Sequence, residues 1–222
     1  MTVYDVAEVF TSVQGEGVYT GTPMTFVRFT GCSVGKKICH ACDTDFDRTY
    51  PWRGGGSFTT SALVEKMHTK HICFTGGEPL NQDLLELFEA LEYSGKVIHI
   101  ETSGTVEPSW LPPRRDLSNP AEFRKILGVR TWVTVSPKPG YLESMLLKAD
   151  ELKVIVPGLG SGDGWPGIDL ALRFADLCPV YLQPRNEKSK VHSDNLALVY
   201  ELVLAHSQLR MSVQMHKYIS VR

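Results

Sequence analysis

Strand-like and helix-like segments alternate along this chain, and the alternation sharply limits the folds available to it. Runs rich in β-branched and aromatic residues predict eight strands, at residues 3–10, 24–30, 71–75, 96–102, 131–136, 151–156, 179–183 and 210–216. Apolar residues at three- and four-residue spacing predict helices at residues 60–70, 81–93, 168–177 and 194–206. Parallel βαβ units produce this order, so the sequence predicts an α/β fold, either an open sheet or a complete or partial barrel.

In either architecture, ligands bind where parallel strands end, at their carboxyl ends. Residues that follow a predicted strand are therefore the first candidates for a functional site. Two segments rich in glycine or proline, residues 53–57 and 108–128, are instead predicted to be solvated surface loops.

Composition indicates one packed domain and argues against two classes of partner. The chain has 222 residues, 42% hydrophobic and 22% charged, so we expect a single domain over residues 1–222. The formal net charge of −2 offers no basic field for nucleic acid. No apolar run approaches the roughly 18 residues of a membrane span, and no signal peptide is recognisable, so we expect a cytoplasmic protein without membrane contact.

Three of the five cysteines lie close together in the sequence. Cys32, Cys39 and Cys42 follow the predicted strand at residues 24–30, in a segment that also carries glycine, serine and lysine. Disulfides are unexpected in a cytoplasmic chain. Cys73 and Cys178 stand alone in apolar segments and are predicted to be small core residues.

The cysteine cluster is open to three interpretations. Together with His40, the three thiols match the donor set of a structural zinc site. They also match an iron–sulfur cluster, in which three thiolates leave one iron of four available to a small molecule. The third interpretation, three ordinary buried cysteines, fits poorly with the polar residues around them.

A second motif favours the iron–sulfur interpretation. Gly76, Gly77 and Glu78 follow the predicted strand at residues 71–75, and two glycines there expose backbone polar groups to a ligand. A cysteine loop and a Gly-Gly-Glu turn, each after a strand, resemble the radical S-adenosylmethionine superfamily. Six residues separate Cys32 from Cys39 where that superfamily usually has three. Lengthening a loop has a small entropic cost, about 0.6 kcal/mol per doubling.

Further motifs over nearly the whole chain are similar to those of the 7-carboxy-7-deazaguanine synthases. They are Val13-Gln14-Gly15-Glu16-Gly17, Cys42-Asp43-Thr44, Glu101-Thr102-Ser103-Gly104, Ser136-Pro137-Lys138, Leu182-Gln183-Pro184 and the closing Ser212 to Tyr218 segment. The resemblance implies a partial βα barrel with a mostly parallel sheet. It also implies a carbon–nitrogen lyase that contracts 6-carboxy-5,6,7,8-tetrahydropterin to 7-carboxy-7-deazaguanine with loss of ammonia, in queuosine-type 7-deazapurine biosynthesis.

The resemblance also assigns residues to ligands. Cys32, Cys39 and Cys42 would hold a [4Fe–4S] cluster, and Thr44 would contact Mg2+. S-adenosylmethionine would bind at Ala41, Cys42, Asp43, Gly77, Glu78, Ser103, Ser136, Pro137, Lys138, Gln183, Pro184, Arg185 and Asn186. The pterin would bind at Val13, Gln14, Gly15, Glu16, Arg28, Thr75, His216 and the terminal carboxylate of Arg222.

The substrate assignments agree with the chemistry of the side chains. A pterin edge presents hydrogen-bond donors and acceptors that Gln14 and Glu16 can match, and Arg28 can form a charge-assisted fork with a carboxylate. The resemblance further implies an electron donor such as a flavodoxin and a homodimer. Two other functions remain open from the residues: an activating enzyme that acts on a glycyl residue of a partner protein, and a zinc-stabilised binding module.

Overall fold

The predicted strands are present and form one open sheet. The computed structural model describes residues 2–39, 42, 44–114, 123–156, 164–186 and 190–221. Within them lie ten strands: β1 (Val3–Val13), β2 (Pro23–Phe29), β3 (Gly56–Thr59), β4 (His71–Gly76), β5 (Val97–Thr102), β6 (Arg124–Ile126), β7 (Val129–Val135), β8 (Glu151–Val156), β9 (Val180–Pro184) and β10 (Arg210–Met211).

The α-helices lie mostly between the strands, as the alternation predicts. They are α1 (Thr60–Val64), α2 (Leu85–Leu91), α3 (Glu143–Leu147), α4 (Ile168–Phe174), α5 (Ser193–Ala205) and α6 (Met215–Tyr218), with short 3-10 turns at Pro51–Arg53 and Pro79–Asn81. Among the described helices, none combines the length and the apolar character needed to cross a bilayer.

The sheet has the order β10-β9-β8-β7-β5-β4-β2-β1-β3, with β6 paired to β7 outside this path. From β2 to β10 along that path every pairing is parallel, whereas β1 and β3 add an antiparallel edge. The two ends of the path are not paired with each other, so the sheet is mostly parallel and not closed. The fold class predicted from the sequence is confirmed.

Alternation of side chains along the parallel strands separates an apolar face from a polar one. On β5, Ile98 and Ile100 belong to the apolar core, which also contains Leu87 and Phe88 of α2. Glu101 of the same strand points instead into a cavity, as does Lys153 of β8. Helices therefore cover the apolar face, and the polar face is left for ligands.

Several boundaries differ from the prediction. The strand predicted at residues 210–216 is wrong beyond Met211, because the chain turns there and forms α6. The helix predicted at residues 60–70 ends at Val64, and the one at residues 81–93 is a 3-10 turn followed by α2. Periodicity detects a buried stripe but not where backbone hydrogen bonding ends.

The two predicted surface loops are partly ordered elements. Gly56 and Ser57 belong to β3, which pairs with β1. Residues 124–126 form β6, and Arg124 donates to both carboxylate oxygens of the buried Asp150, at 3.0 Å from Nε and 2.8 Å from Nη2. Arg114 also lies 3.5 Å from Asp150. These contacts tie the segment to the start of β8, so its prediction as a solvated loop is wrong at these positions.

Candidate active site

Two adjoining cavities lie at the carboxyl ends of the parallel strands. The smaller, of about 250 Å³, is lined by residues that follow β2, β4, β5, β7 and β9. The larger, of about 1190 Å³, extends toward β1 and α6. Seven residues line both: Glu16, Cys42, Thr44, Thr75, Glu101, Gln214 and Lys217. Ligands bound in the two cavities would therefore lie side by side, with these seven residues next to both.

The three clustered cysteines line the smaller cavity together. The Cys39 amide donates to the Gly35 carbonyl and the Cys42 amide to the Cys39 carbonyl, both at 3.0 Å, which holds Cys39 and Cys42 close together. A hydrogen bond with Cys42 and burial raise the pKa of the Cys39 thiol well above its ordinary value. A bound metal reverses this tendency, because a coordinating thiol is deprotonated outright.

Among the described residues, no three histidine, cysteine or acidic side chains are grouped as ligands of one metal ion. The thiolates of an iron–sulfur cluster bind separate irons and do not have to meet at one point. His40, the fourth donor of the zinc interpretation, lies outside the described residues, as do Ala41, Asp43 and Arg222.

The Gly-Gly-Glu turn lies directly against the beginning of the cysteine loop. The amide of Gly77 donates to Phe29, at 3.2 Å, and that of Glu78 donates to Gly31, at 2.9 Å. A Cβ atom at Gly77 would overlap the carbonyl oxygen of Gly31. The turn and the cysteine loop therefore form one packed unit, which requires glycine at this position.

Glu78 is fully buried and lines neither cavity. Its carboxylate accepts hydrogen bonds from the Thr102 hydroxyl, at 2.7 Å, and from the Ser103 amide, at 2.8 Å, as well as from the Ser103 hydroxyl. The structure thus places Glu78 behind the wall of the cavity, where it orients Ser103. The sequence-based assignment of Glu78 to direct ligand contact does not agree with this position.

A lysine and a tryptophan form another wall of the smaller cavity. The Lys138 ammonium donates to the carbonyl and the hydroxyl of Ser136, at 2.9 and 2.7 Å, and lies 5.7 Å from the centre of the Trp165 ring. Burial lowers the pKa of Lys138. Within the described part of the chain, the buried Nε1 of Trp165 and Oε1 of Gln183 meet no hydrogen-bond partner. A buried polar atom without a hydrogen bond lowers the stability of the fold unless a ligand or water pairs with it.

A buried lysine joins two carboxylates in the wall that the cavities share. The Lys153 ammonium lies 2.5 Å from Glu16 Oε2 and 2.6 Å from Glu101 Oε2. Gln14 donates to the other oxygen of Glu101, at 3.0 Å, and Gln214 to the other oxygen of Glu16, at 2.8 Å. Burial raises the pKa of Glu101, whereas the adjacent carboxylates raise that of Lys153 despite its burial.

Sequence reasoning assigned no role to Lys153 or Glu101. Glu101 lies within one of the motifs that carry the resemblance. Lys153 is a cation within the otherwise mostly apolar strand at residues 151–156. A charge at such a position signals a partner in the interior. The partner itself could not be identified, because Glu16 is distant in sequence and reaches Lys153 only through the folded sheet.

Arg28 lies in the larger cavity and is already paired. Its Nε donates to Glu8, at 2.8 Å, and its Nη1 donates to the Thr44 hydroxyl, at 3.3 Å. A bound carboxylate would therefore share this guanidinium with Glu8 and would not have sole use of it. The Arg28 side chain is only 20% exposed, so it faces the cavity and not the surrounding water.

The segment from Ser212 to Tyr218 closes the larger cavity from the other side. The Met215 amide donates to Gly15, at 2.9 Å, and a Cβ atom at Gly15 would overlap the imidazole of His216. Of the described residues assigned to ligands, all except Glu78 and Pro137 line a cavity. Pro137 lies between Ser136 and Lys138, which do. Cys178 is a core residue as predicted, and the buried Cys73 also borders the larger cavity.

Comparisons with known proteins find relatives that match nearly the whole chain. The chain is 33% identical to the 7-carboxy-7-deazaguanine synthase of Synechocystis, covering 99% of this chain and 94% of the relative. It is 31% identical to the enzyme of that name from Escherichia coli, covering 98% and 99%. The crystal structure of QueE from Escherichia coli matches with a TM-score of 0.69 and 29% identity over 97% of this chain and 96% of that one. No family model matches the chain.

Proposed function

The chain belongs to the 7-carboxy-7-deazaguanine synthase family, and from this premise we propose that its two cavities convert 6-carboxy-5,6,7,8-tetrahydropterin to 7-carboxy-7-deazaguanine with loss of ammonia. One observation carries the proposal. The cysteine-lined cavity and the larger cavity share a wall that contains Thr75, Glu101 and Glu16. A cofactor held by the cysteines and a pterin held by the larger cavity would therefore lie side by side at these shared residues.

The residues of the smaller cavity fit a [4Fe–4S] cluster and S-adenosylmethionine. The three cysteines supply the thiolates, and when bound the pair supplies the one-electron chemistry that starts the reaction. Gly76 and Gly77 leave room for a ligand against the backbone, and the unsatisfied Trp165 Nε1 and Gln183 Oε1 offer a donor and an acceptor. We assign Ser103, Ser136, Lys138 and residues 183–186 to the same ligand.

The larger cavity fits a flat, polar substrate that carries a carboxylate. Each carboxylate oxygen of Glu16 and Glu101 accepts one described hydrogen bond and has a further lone pair for an N–H of the pterin. Arg28 and His216 lie on the remaining wall, where a carboxylate would gain a charged donor. Contacts on both sides of the ring would hold it in one orientation.

Mg2+ is part of the proposal through Thr44. Thr44 lines both cavities, and a hydroxyl can join waters and a substrate carboxylate around this ion. Its oxygen accepts a hydrogen bond from Arg28, at 3.3 Å. A cation beside that guanidinium is unfavourable, so binding of Mg2+ would require Arg28 to turn toward the substrate.

The remaining assignments concern partners and location. We propose a homodimer, an electron donor such as a flavodoxin and a single domain over residues 1–222, all on the resemblance to the family. An oxygen-sensitive cluster and free cysteines suit a reducing cytoplasm. The zinc-module and glycyl-activating interpretations lose their basis, because neither explains the match to synthases over nearly the whole chain.

Substitution of Arg28 tests the substrate side of the proposal. We expect Arg28→Ala to weaken pterin affinity about 10- to 100-fold while cleavage of S-adenosylmethionine without substrate continues, because one charge-assisted contact is lost. Equilibrium binding of the pterin and formation of 5′-deoxyadenosine measure the two effects separately. Unchanged pterin affinity would rule out contact between Arg28 and the substrate carboxylate.

Two control variants separate this contact from the pairing of Arg28 with Glu8. Glu8→Gln combined with Arg28→Ala also removes the charge of the carboxylate that Arg28 contacts, and it should show the same loss of affinity. Arg173→Ala removes an exposed ion pair with Glu143, 2.9 Å long, and should leave pterin affinity unchanged.

A further inference from the structure

A buried triad of charges crosses the wall between the two cavities. Lys153 has a side chain only 4% exposed and contacts both Glu16 and Glu101, whose side chains are 15% and 17% exposed. The two carboxylates come from distant parts of the chain, one after β1 and one on β5. Among the residues that the structure describes, no other cation lies in hydrogen-bond contact with either carboxylate.

We propose that Lys153 is a positioning residue that keeps Glu16 and Glu101 ionised together and directed at the substrate; this inference rests on the proposed function. Two carboxylates in a buried site cannot both ionise easily without a cation between them, because like charges disfavour each other at short range. With Lys153 present, both can accept hydrogen bonds from a pterin. Without it, they would share a proton, and one would become a donor.

Two amide side chains support this role by fixing the outer oxygens. Gln14 donates to Glu101 and Gln214 donates to Glu16, so each carboxylate is held between an amide and the shared ammonium. Asn186 in turn donates to Gln214, at 2.9 Å. This chain of contacts connects the end of β9 to the pterin-facing carboxylates, and Lys153 lies at its centre.

Other ionisable groups surround the triad and must be controlled in any test. Glu151 precedes Lys153 on the same face of β8, and its carboxylate accepts from the Val18 amide, at 2.8 Å. Burial raises the pKa of Glu151 to about 7. Charges or thiols also face the triad from β2, β4, the segment after β7, and α6; these are Arg28, Cys73, Lys138 and His216.

The test compares Lys153→Met with the wild-type protein, both loaded with cluster. We expect pterin affinity to fall about 100-fold near neutral pH, as when a buried charge pair loses one partner. Removing the cation raises the pKa of the carboxylate pair, so affinity in the variant should rise as pH increases from about 6 to 9, nearly tenfold per pH unit below that pKa. The wild-type protein should lack this added pH dependence, which is the result expected if Lys153 keeps both carboxylates ionised.

Three further variants keep the inference falsifiable if Lys153→Met is unstable. Lys153→Arg keeps the charge and should restore the wild-type pH profile. Lys153→Met combined with Glu101→Gln removes the uncompensated charge and should restore folding and abolish the added pH dependence. Lys148→Met removes a partly buried lysine that pairs with Glu107, at 2.8 Å, and lines neither cavity, so it should change neither affinity nor its pH profile.

Infrared spectroscopy tests the ionisation without substrate, so its outcome does not depend on the proposed function. In a protein that already carries Glu151→Gln, adding Lys153→Met should produce the infrared carbonyl band of a protonated carboxyl, which the Glu151→Gln protein lacks. Adding Glu101→Gln as well should change that band. An absent band and an unchanged pH profile would overturn the inference. If the wild-type protein makes no deazaguanine but the band appears, the proposed function fails while the role of Lys153 in ionisation stands.

Discussion

We expect Cys39→Ala to abolish reductive cleavage of S-adenosylmethionine, to the rate seen without protein. Cys39 lies between Cys32 and Cys42 in the wall of the smaller cavity, and alanine provides no thiolate for a cluster. With only two ligands left, the cluster would not be retained in its four-iron form. The measurement is 5′-deoxyadenosine formed from S-adenosylmethionine and dithionite, together with iron and sulfide content after anaerobic reconstitution.

Cys178→Ala is the matched control for this substitution. Cys178 is buried in the apolar core and lines neither cavity, so its replacement should cost some stability but leave iron content and cleavage at the wild-type level. Retention of cleavage by Cys39→Ala would contradict the cluster assignment. Equal loss in both variants would show that the effect arises from folding.

The second large effect is expected from Gly77→Ala. A Cβ atom at this position overlaps the carbonyl oxygen of Gly31 and comes within 3.0 Å of the Cys32 Cβ. Because the obstruction is backbone, relief requires the turn or the cysteine loop to move. We expect a loss of about 3 kcal/mol in the free energy of unfolding, at the upper end for overpacking. Displacement of Cys32 should also reduce cluster retention, which is measured by iron content.

Gly167→Ala distinguishes a local clash from a general effect of replacing glycine. Gly167 precedes α4, and a Cβ atom there would meet nothing within 4 Å. Gly167 is also the N-cap of α4, where alanine is less favourable than glycine, so its replacement should cost about 1 kcal/mol or less, well below the loss expected for Gly77→Ala. Wild-type stability and iron content in Gly77→Ala would contradict the packed unit formed by the turn and the cysteine loop.

The sequence was most informative where chemistry depends on local spacing. The cysteine loop, the Gly-Gly turn and Ser136 each follow a parallel strand, and strand ends meet along one edge of a sheet. Their convergence could therefore be predicted once the strands were identified. Arg28 and Thr75 were assigned to the pterin through the resemblance, and the structure places both in the larger cavity on the neighbouring strands β2 and β4.

Contacts between distant segments could not be predicted in this way. Lys153 meets Glu16 across 137 positions of sequence, and Arg124 meets Asp150 through a strand that periodicity did not detect. Glu78 was assigned to a ligand through its Gly-Gly-Glu motif, yet its carboxylate accepts hydrogen bonds from Thr102 and Ser103. Hydrogen-bond satisfaction is a property of the folded structure, and residue spacing alone does not reveal it.

The end of the chain shows a related limit. Residues 212–216 were predicted as the end of a strand because they continue the strand-like run that begins at residue 210. Only Arg210 and Met211 pair with β9, and the following residues turn toward Gly15 and form α6. Tertiary contact with the segment after β1 thus outweighed the local pattern.

Product identification tests the central claim most directly. The protein would be reconstituted anaerobically with iron and sulfide, reduced with dithionite, and incubated with S-adenosylmethionine, Mg2+ and 6-carboxy-5,6,7,8-tetrahydropterin, with mass analysis of the products. We expect 7-carboxy-7-deazaguanine and ammonia in equal amounts. Formation of 5′-deoxyadenosine without the deazaguanine would contradict the proposed substrate, and absence of both from protein with a full cluster would contradict the proposed function.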